Sequence, residues 1–500
     1  MSLPGTCLCP ARHLQHRAFA LLRGSGPFPL LLPRPALDIM NTVPLIIAFA
    51  FFMEMMDSTV IATSLPVIAA DLGTSPIALK LALTSYLVAL GVFIPVSGWM
   101  ADTFGAKRVF RLAIVVFVIG SIACAFSNSL LTFVLSRFLQ GMGGSMMVPV
   151  GRLILVRTFR QKDLVHAMTL MTIPGLIGPM AGPPLGGFLT TYFSWHWIFL
   201  INVPIGIAGI WLCGIFLPDI ARRPTSSLDW RGFLLSGTAA AGIVFGLSVV
   251  SLPALPPVVG VVTTVAGLAA LAAYLVHARA KDHPILDLGL LRNRAFGLTL
   301  LGTNIFRVSS GAMPFLIPLM LQTGFGYNAF QSGLITFTGA FGAISMKFIV
   351  KRSLAALGFR TALVIASLGG ALLTFAMAAF APGTPVWIFV LVLYGAGLTR
   401  SFLFTSSNGL MFTSIADDEA SQATALSSVF QQVSLALGVA LAGFVLEASG
   451  WFSGDPLALV NFHVAFAVTA ALALVSVPVF AFLPAAAGQE ASGHGQRREA

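Results

Sequence analysis

What most constrains this chain is a succession of uninterrupted apolar runs, each around twenty residues long, separated by short polar breaks. A helix of about 20 residues rises through about 30 Å, the thickness of a bilayer's hydrocarbon. No water is present there, so each backbone N–H and C=O must be paired within the segment or in a closed barrel. Barrel strands would alternate polar and apolar residues over about ten positions. These runs are continuous, which predicts an all-α polytopic membrane protein. Composition agrees, with 57% of the 500 residues hydrophobic and 9% charged, against about 25% charged in a soluble domain.

Reading apolar runs against polar breaks gives fourteen expected transmembrane helices. Six lie near 44–68, 80–101, 109–127, 130–154, 164–190 and 196–217. Two more lie near 232–251 and 256–277, and a last six near 296–321, 329–349, 361–380, 386–412, 422–447 and 463–484. The expectation is two six-helix bundles, 44–217 and 296–484, joined through 218–295, which holds two extra central helices. Residues 1–43 read as a basic, disordered N-terminal extension, with translation starting at Met1 or at Met40, and 485–500 as a tail. Paired bundles around a central cavity are a common transporter plan.

A net charge of +11 would point to nucleic acid in a soluble protein, but here the cations sit between the apolar runs. No nucleic-acid partner is expected, and the lipid bilayer is. With the N-terminus inside, Lys107, Arg108, Arg111, Arg157, Arg160 and Lys162 share one face. So do Arg222, Arg223, Arg231, Arg279, Lys281, Arg292, Arg294, Lys347, Lys351, Arg352 and Arg360. The positive-inside rule then makes that face, and both termini, cytoplasmic. Lys80 alone among loop cations is left on the other side. Cys7, Cys9, Cys124 and Cys213 have no spacing that suits zinc or a disulfide framework. No metal is expected.

Ionisable groups inside the runs are few. Of seventeen acidic residues, only Glu54 and Asp57, in the stretch FMEMMDSTVIATSLP (Phe52 to Pro66), lie well inside an expected span. Each costs about 2.5 to 3.5 kcal/mol to place at mid-bilayer. Three residues apart, they share one helix face. Two like charges that close in low dielectric are not both ionised, so one is expected to hold a proton and exchange it as water access changes. Arg137, some eight residues into its run, is expected to meet an aqueous cavity or a partner carboxylate.

Several stretches carry a resemblance. GWMADTFGAKR (Gly98 to Arg108), with Gly98, Asp102, Gly105, Lys107 and Arg108, resembles the signature loop of the major facilitator superfamily. SRFLQGMGGS (Ser136 to Ser145) resembles that family's fourth-helix pattern, an intramembrane Arg followed by QGxGG. PGLIGPMAGPPLGG resembles its antiporter helix, with Pro174, Gly178, Pro179, Gly182, Pro183, Gly186 and Gly187 in place. SWHWIFLINVPIG and MDSTVIATSLP resemble the fourteen-helix drug/proton antiporter branch, the EmrB/QacA type. Within that branch GWMADTFGAKRVF, SWHWIFLINVPIGIAG and PLMLQTGFGYNAF resemble the MdtD-like multidrug exporters of bacterial inner membranes.

The resemblance implies a proton-coupled exporter of hydrophobic or cationic small molecules, working by alternating access, with the proton as coupling ion and no other cofactor. It assigns proton coupling to Asp57 and Arg137 and conformational switching to the Gly98–Arg108 loop. The antiporter helix would seal the cavity against leak. Glu54 departs from the branch's pattern and rests on the charge argument. Gln140, Asn304, Arg307, Gln322, Arg400 and Asn408 are candidates for the substrate cavity, since polar groups at membrane depth line paths or join helices. A major-facilitator transporter of one metabolite, or a non-transporting receptor or scaffold, are the other readings. No HExxH, GxSxG or Walker glycine loop occurs, so no catalytic set is expected. Whether a periplasmic adaptor joins the protein is left open.

Overall fold

The computed structural model describes residues 39–222, 227–252, 255–282, 284–413, 415–416, 419–484 and 487–489. Cys7, Cys9, Arg223 and nearly all of the expected extension and tail lie outside them. Helix begins at Ile39, so the last residues assigned to the extension already belong to the first span.

The elements are α1 (Ile39–Val60), α2 (Leu65–Asp71), α3 (Lys80–Phe104), α4 (Ala106–Ala125), α5 (Leu130–Thr158), α6 (Gln161–Tyr192), α7 (Trp197–Leu200) and α8 (Asn202–Phe216). They continue as α9 (Trp230–Val249), α10 (Pro257–Ala280), α11 (Arg294–Leu319), α12 (Ala329–Met377), α13 (Val386–Thr413), α14 (Ala420–Ser453) and α15 (Leu459–Ala481). A 3-10 turn, Ile61–Ser64, joins α1 to α2, and a π-turn, Met320–Gly324, extends α11. Among the described residues thirteen helical stretches are long and apolar enough to cross a membrane.

One of the thirteen is too long for a single crossing. The 49 residues of α12 would rise about 74 Å, more than twice the hydrocarbon thickness of about 30 Å. Gly358, at φ 70° and ψ 166°, interrupts it in a conformation that only glycine adopts without penalty. Lys347, Lys351, Arg352 and Arg360 flank that break.

Helix ends are set by local chemistry. Ser129 and Thr132 form a capping box on α5, and Asn328 with Gln331 forms one on α12. Asp229 caps α9 by accepting from Gly232 N at 3.1 Å. It also accepts from His277 Nε2 of α10 at 2.9 Å and from Ile285 N at 3.4 Å, tying α9, α10 and the following loop together. Burial alone would raise the Asp229 carboxyl, but the bonds from Gly232 and His277 outweigh it and hold it below the usual carboxylate range. The sign follows: its contribution is present above the unfolded carboxylate value and disappears as pH falls through the lower folded-state value. Asp229→Ala is expected to cost about 1 kcal/mol, read as a lowered melting temperature at pH 7 in detergent. The difference should vanish in strong acid.

Helices α1 to α8 form one bundle, with α1 against α6 and α5 against both α3 and α4. Helices α11 to α15 form the other. The bundles meet through α6 against α12 and α3 against α14, and α9 and α10 pair with each other beside that seam. Small residues permit the approach. A Cβ on Gly182 or Gly186 of α6 would strike Thr59 or Val60 of α1, and one on Gly187 would strike the Ala329 carbonyl of α12. One core holds Val60, Phe133, Phe199, Phe315, Phe389 and Phe466, drawn from both bundles. It lies at the end remote from the basic loops, called here the far end.

Candidate functional site

The glycines of the QGxGG run explain how a polar centre assembles inside the first bundle. A Cβ on Gly141 would meet the Tyr86 carbonyl of α3, and one on Gly143 would meet Phe117 and Ala113 of α4. Without side chains there, α5 lies close to both helices. Gly120 of α4 in turn faces the Gln140 backbone, which brings Ser121 within reach of α5. One turn from Gln140, Arg137 points the same way, toward α1.

Asp57 of α1 lies at the middle of this centre, with no solvent exposure. Its Oδ2 accepts from Arg137 Nη1 at 2.7 Å. Its Oδ1 accepts from Gln140 Nε2 at 2.8 Å and from Asn202 Nδ2 at 2.9 Å. Arg137 Nη1 also donates to Gln140 Oε1 at 2.6 Å. Ser121 Oγ accepts from Gln140 Nε2 at 2.7 Å and from Asn202 Nδ2 at 3.0 Å. The guanidinium lies 4.4 Å from the centroid of the Tyr86 ring, a cation–π contact that adds to its compensation.

Four helices, α1, α4, α5 and α8, thus converge on one carboxylate. In its ionised form Asp57 accepts three hydrogen bonds; a proton on it removes the counter-charge of Arg137 and turns an acceptor into a donor. The arrangement can therefore convert a protonation step into a change in how α1 is held against α5 and α8.

Glu54, one turn earlier on α1, is 3% exposed, and its Oε2 has no hydrogen-bond partner among the described residues. It faces Gly144, beside the Tyr86 hydroxyl. Both acids point into protein and not into lipid. Asp57 has its own counter-ion in Arg137, so the two acids, which share one face of α1, sit in unlike surroundings.

In the signature loop, Gly105 has φ 96°, a left-handed turn that lets α3 end and α4 begin at once. Asp102 pairs with Arg157 of α5, Oδ1 to Nη2 at 2.6 Å, and Lys107 lies 3.7 Å from Asp219 beyond α8. Arg108 and Gly98 are exposed. On α6, Pro174, Gly178, Pro179, Gly182, Pro183 and Gly186 lie along the helix that packs on α1, and Pro183 also meets Gly333 of α12.

The six cavity candidates do not come together. Gln140 belongs to the Asp57 centre. Asn304 is tied within the second bundle, donating to Leu300 O at 2.8 Å and accepting from Ser434 Oγ at 3.1 Å. Gln322 sits in the π-turn and donates to Thr63 O of the first bundle at 2.9 Å. Arg307 is buried with its guanidinium 4.6 Å from the Phe404 ring centroid, Arg400 is half-buried, and Asn408 is exposed. An apolar crevice of about 340 Å³ between α9, α11 and α14 is lined by none of them. Lys80, expected as a loop cation, is instead the first residue of α3 and fully buried. Reading the sequence missed Ser121, Asn202, Arg157 and Glu447. Asn202 left one signal, an amide inside the apolar stretch IFLINVPIG.

A two-bundle helical fold with a buried Asp–Arg centre defines a polytopic membrane transporter. Residues 47–397 and 299–499 match the Major Facilitator Superfamily, and this chain belongs to it. It is 37% identical over 409 residues to the protein of Cronobacter sakazakii named "Putative multidrug resistance protein MdtD", covering 81% of this chain and 86% of that one. Its counterpart of the same name in Escherichia coli O7:K1 is 39% identical over 407 residues, with the same coverage. Among solved structures, a D-xylose-proton symporter superposes with a TM-score of 0.64 at 12% identity, covering 90% of this chain and 99% of that one. The nucleoside transporter NupG superposes at 0.63 and 15% identity, covering 89% and 99%. At those identities the likeness is one of fold. With thirteen spanning-length helices and these bacterial relatives, the protein is a multi-pass protein of a bacterial inner membrane.

Proposed function

We propose that the protein is a drug/proton antiporter that exports hydrophobic or cationic small molecules by alternating access, with Asp57 as the proton carrier. The observation that carries this is a buried carboxylate held by Arg137 and Gln140 of α5 and by Asn202 of α8. No other cofactor enters and no covalent chemistry is involved. The named relatives support the substrate class. On this reading the chain crosses fourteen times, α12 counting as two about Gly358, with both termini and the basic loops on the cytoplasmic side. Residues 44–217 and 296–484 then work as the two rocking bundles, with 218–295 as an inserted pair and the Gly98–Arg108 loop switching between states. The α6 glycines seal the far end in this state.

Everted membrane vesicles from a host lacking its own pumps provide the test. With a proton gradient imposed, a cationic dye is expected to accumulate, and adding it is expected to dissipate the gradient. Accumulation indifferent to the gradient removes the proposal. Arg307 favours the metabolite reading as a second one, because its buried charge has no acidic partner among the described residues and suits a substrate that brings a negative charge. Carboxylated compounds in the same vesicles separate the two.

A further inference from the structure

A second buried ion pair lies at the far end, well away from the Asp57 centre. Lys80 Nζ of α3 contacts Glu447 Oε2 of α14 at 2.6 Å, with side-chain exposures of 0% and 6%. Ser251, just past α9, accepts from Lys80 Nζ at 3.1 Å and itself donates to Glu447 Oε2. One turn before Glu447, Gly443 leaves the space that the Lys80 stem fills, since a Cβ there would strike Lys80 Cδ. The contact thus joins the first bundle, the inserted pair and the second bundle at one point.

Three facts bear on its use. The proposed transport cycle needs the far end to part, and α3 against α14 is one of the seams between the bundles. A buried pair confers little net stability relative to apolar residues of the same size, whereas removing one partner strands a charge in low dielectric. When the far end opens and water enters, either charge is hydrated and the stranding is relieved. The pair is therefore indifferent to opening while both members are present, and closure becomes unfavourable as soon as one is missing.

We propose that Lys80 and Glu447 are a positioning pair that makes closure of the far end conditional on the two bundles and the inserted helices meeting in register. The pair carries no proton in the cycle and touches no substrate. It rests on alternating access but not on Asp57 as carrier, and its test needs no transport.

The test uses the full chain in proteoliposomes, with the four native cysteines replaced and Ser64→Cys as reporter. Ser64 is buried at the far end, 2.6 Å from Thr190 Oγ1, so a water-soluble maleimide reaches it when that end opens. Glu447→Gln and Lys80→Met are each expected to raise the labelling rate about tenfold or more, by disfavouring the closed state. The Lys80→Met/Glu447→Leu double variant should return to within about twofold of the parent, a non-additivity that a double-mutant cycle measures. Should a single variant not insert, Glu447→Asp, which keeps the charge but shortens its reach, takes its place with a smaller rise. Parental labelling in the singles, or labelling in the double as fast as in the singles, overturns the proposal.

Discussion

The Asp57→Asn variant is expected to insert at normal levels and to lose coupled accumulation entirely. The size of the loss follows from the driving force. One charge crossing 100 mV is worth about 2.3 kcal/mol, which sustains a gradient of nearly fiftyfold for a neutral substrate exchanged against one proton. Without a proton carrier the gradient should fall to about one. Insertion survives because the amide is isosteric and still presents an oxygen to Arg137 Nη1, which keeps Gln140 Oε1 as a second acceptor. The Asn202 amide can turn to meet the new donor, with Ser121 as its other partner. Energised dye uptake in everted vesicles reads the coupled process, and exchange of labelled for unlabelled dye without a gradient reads the uncoupled one. The first should vanish while the second persists. Energised uptake at the wild-type rate would move the carrier role off Asp57, and Glu54→Gln is then the variant to measure.

Much of this could be read in the sequence because the bilayer simplifies the code. Twenty apolar residues have one viable structure in hydrocarbon, so span positions followed from hydropathy, and the break at Gly358 falls among the cations that mark the expected loop there. Asp57 and Arg137 stood out because charges at that depth are costly. What stayed hidden was pairing. Asp57 and Arg137 lie 80 residues apart, and helix periodicity says only which residues of one helix share a face. Periodicity therefore set Glu54 beside Asp57, whereas the counter-ion that α5 brings to Asp57 left no local trace. Lys80 was misjudged, and Glu447 passed over, for a related reason. Charges at helix ends are ordinarily solvated or snorkel to the interface, and nothing local in either segment reveals that Gly443 leaves room for the lysine stem. Asn202 and Ser121 carry no charge, so the cost that exposes a charged residue is too small in their case to single them out.

Arg137→Met is expected to damage stability more than any other single change at the centre, and the way to recover it separates packing from function. The substitution leaves the Asp57 carboxylate without its counter-charge in a site with no solvent exposure; Gln140 and Asn202 still donate to it, but neither neutralises it. Breaking a buried pair in this manner costs about 3 to 5 kcal/mol, a large part of the 5 to 15 kcal/mol that holds a typical domain together. The variant should melt well below wild type in detergent and accumulate poorly. Removing the second partner as well, in Arg137→Met/Asp57→Leu, takes away the stranded charge and should restore most of the lost stability, because paired apolar residues of similar volume replace buried pairs at little cost. Transport should not return with it. If the pair only fixed helix packing, the repacked double variant would regain both properties together. A folded, thermally stable double variant with no gradient-driven uptake is the outcome that a working carboxylate requires, since the leucine at the centre of α1, α4, α5 and α8 can hold the helices but cannot take up a proton.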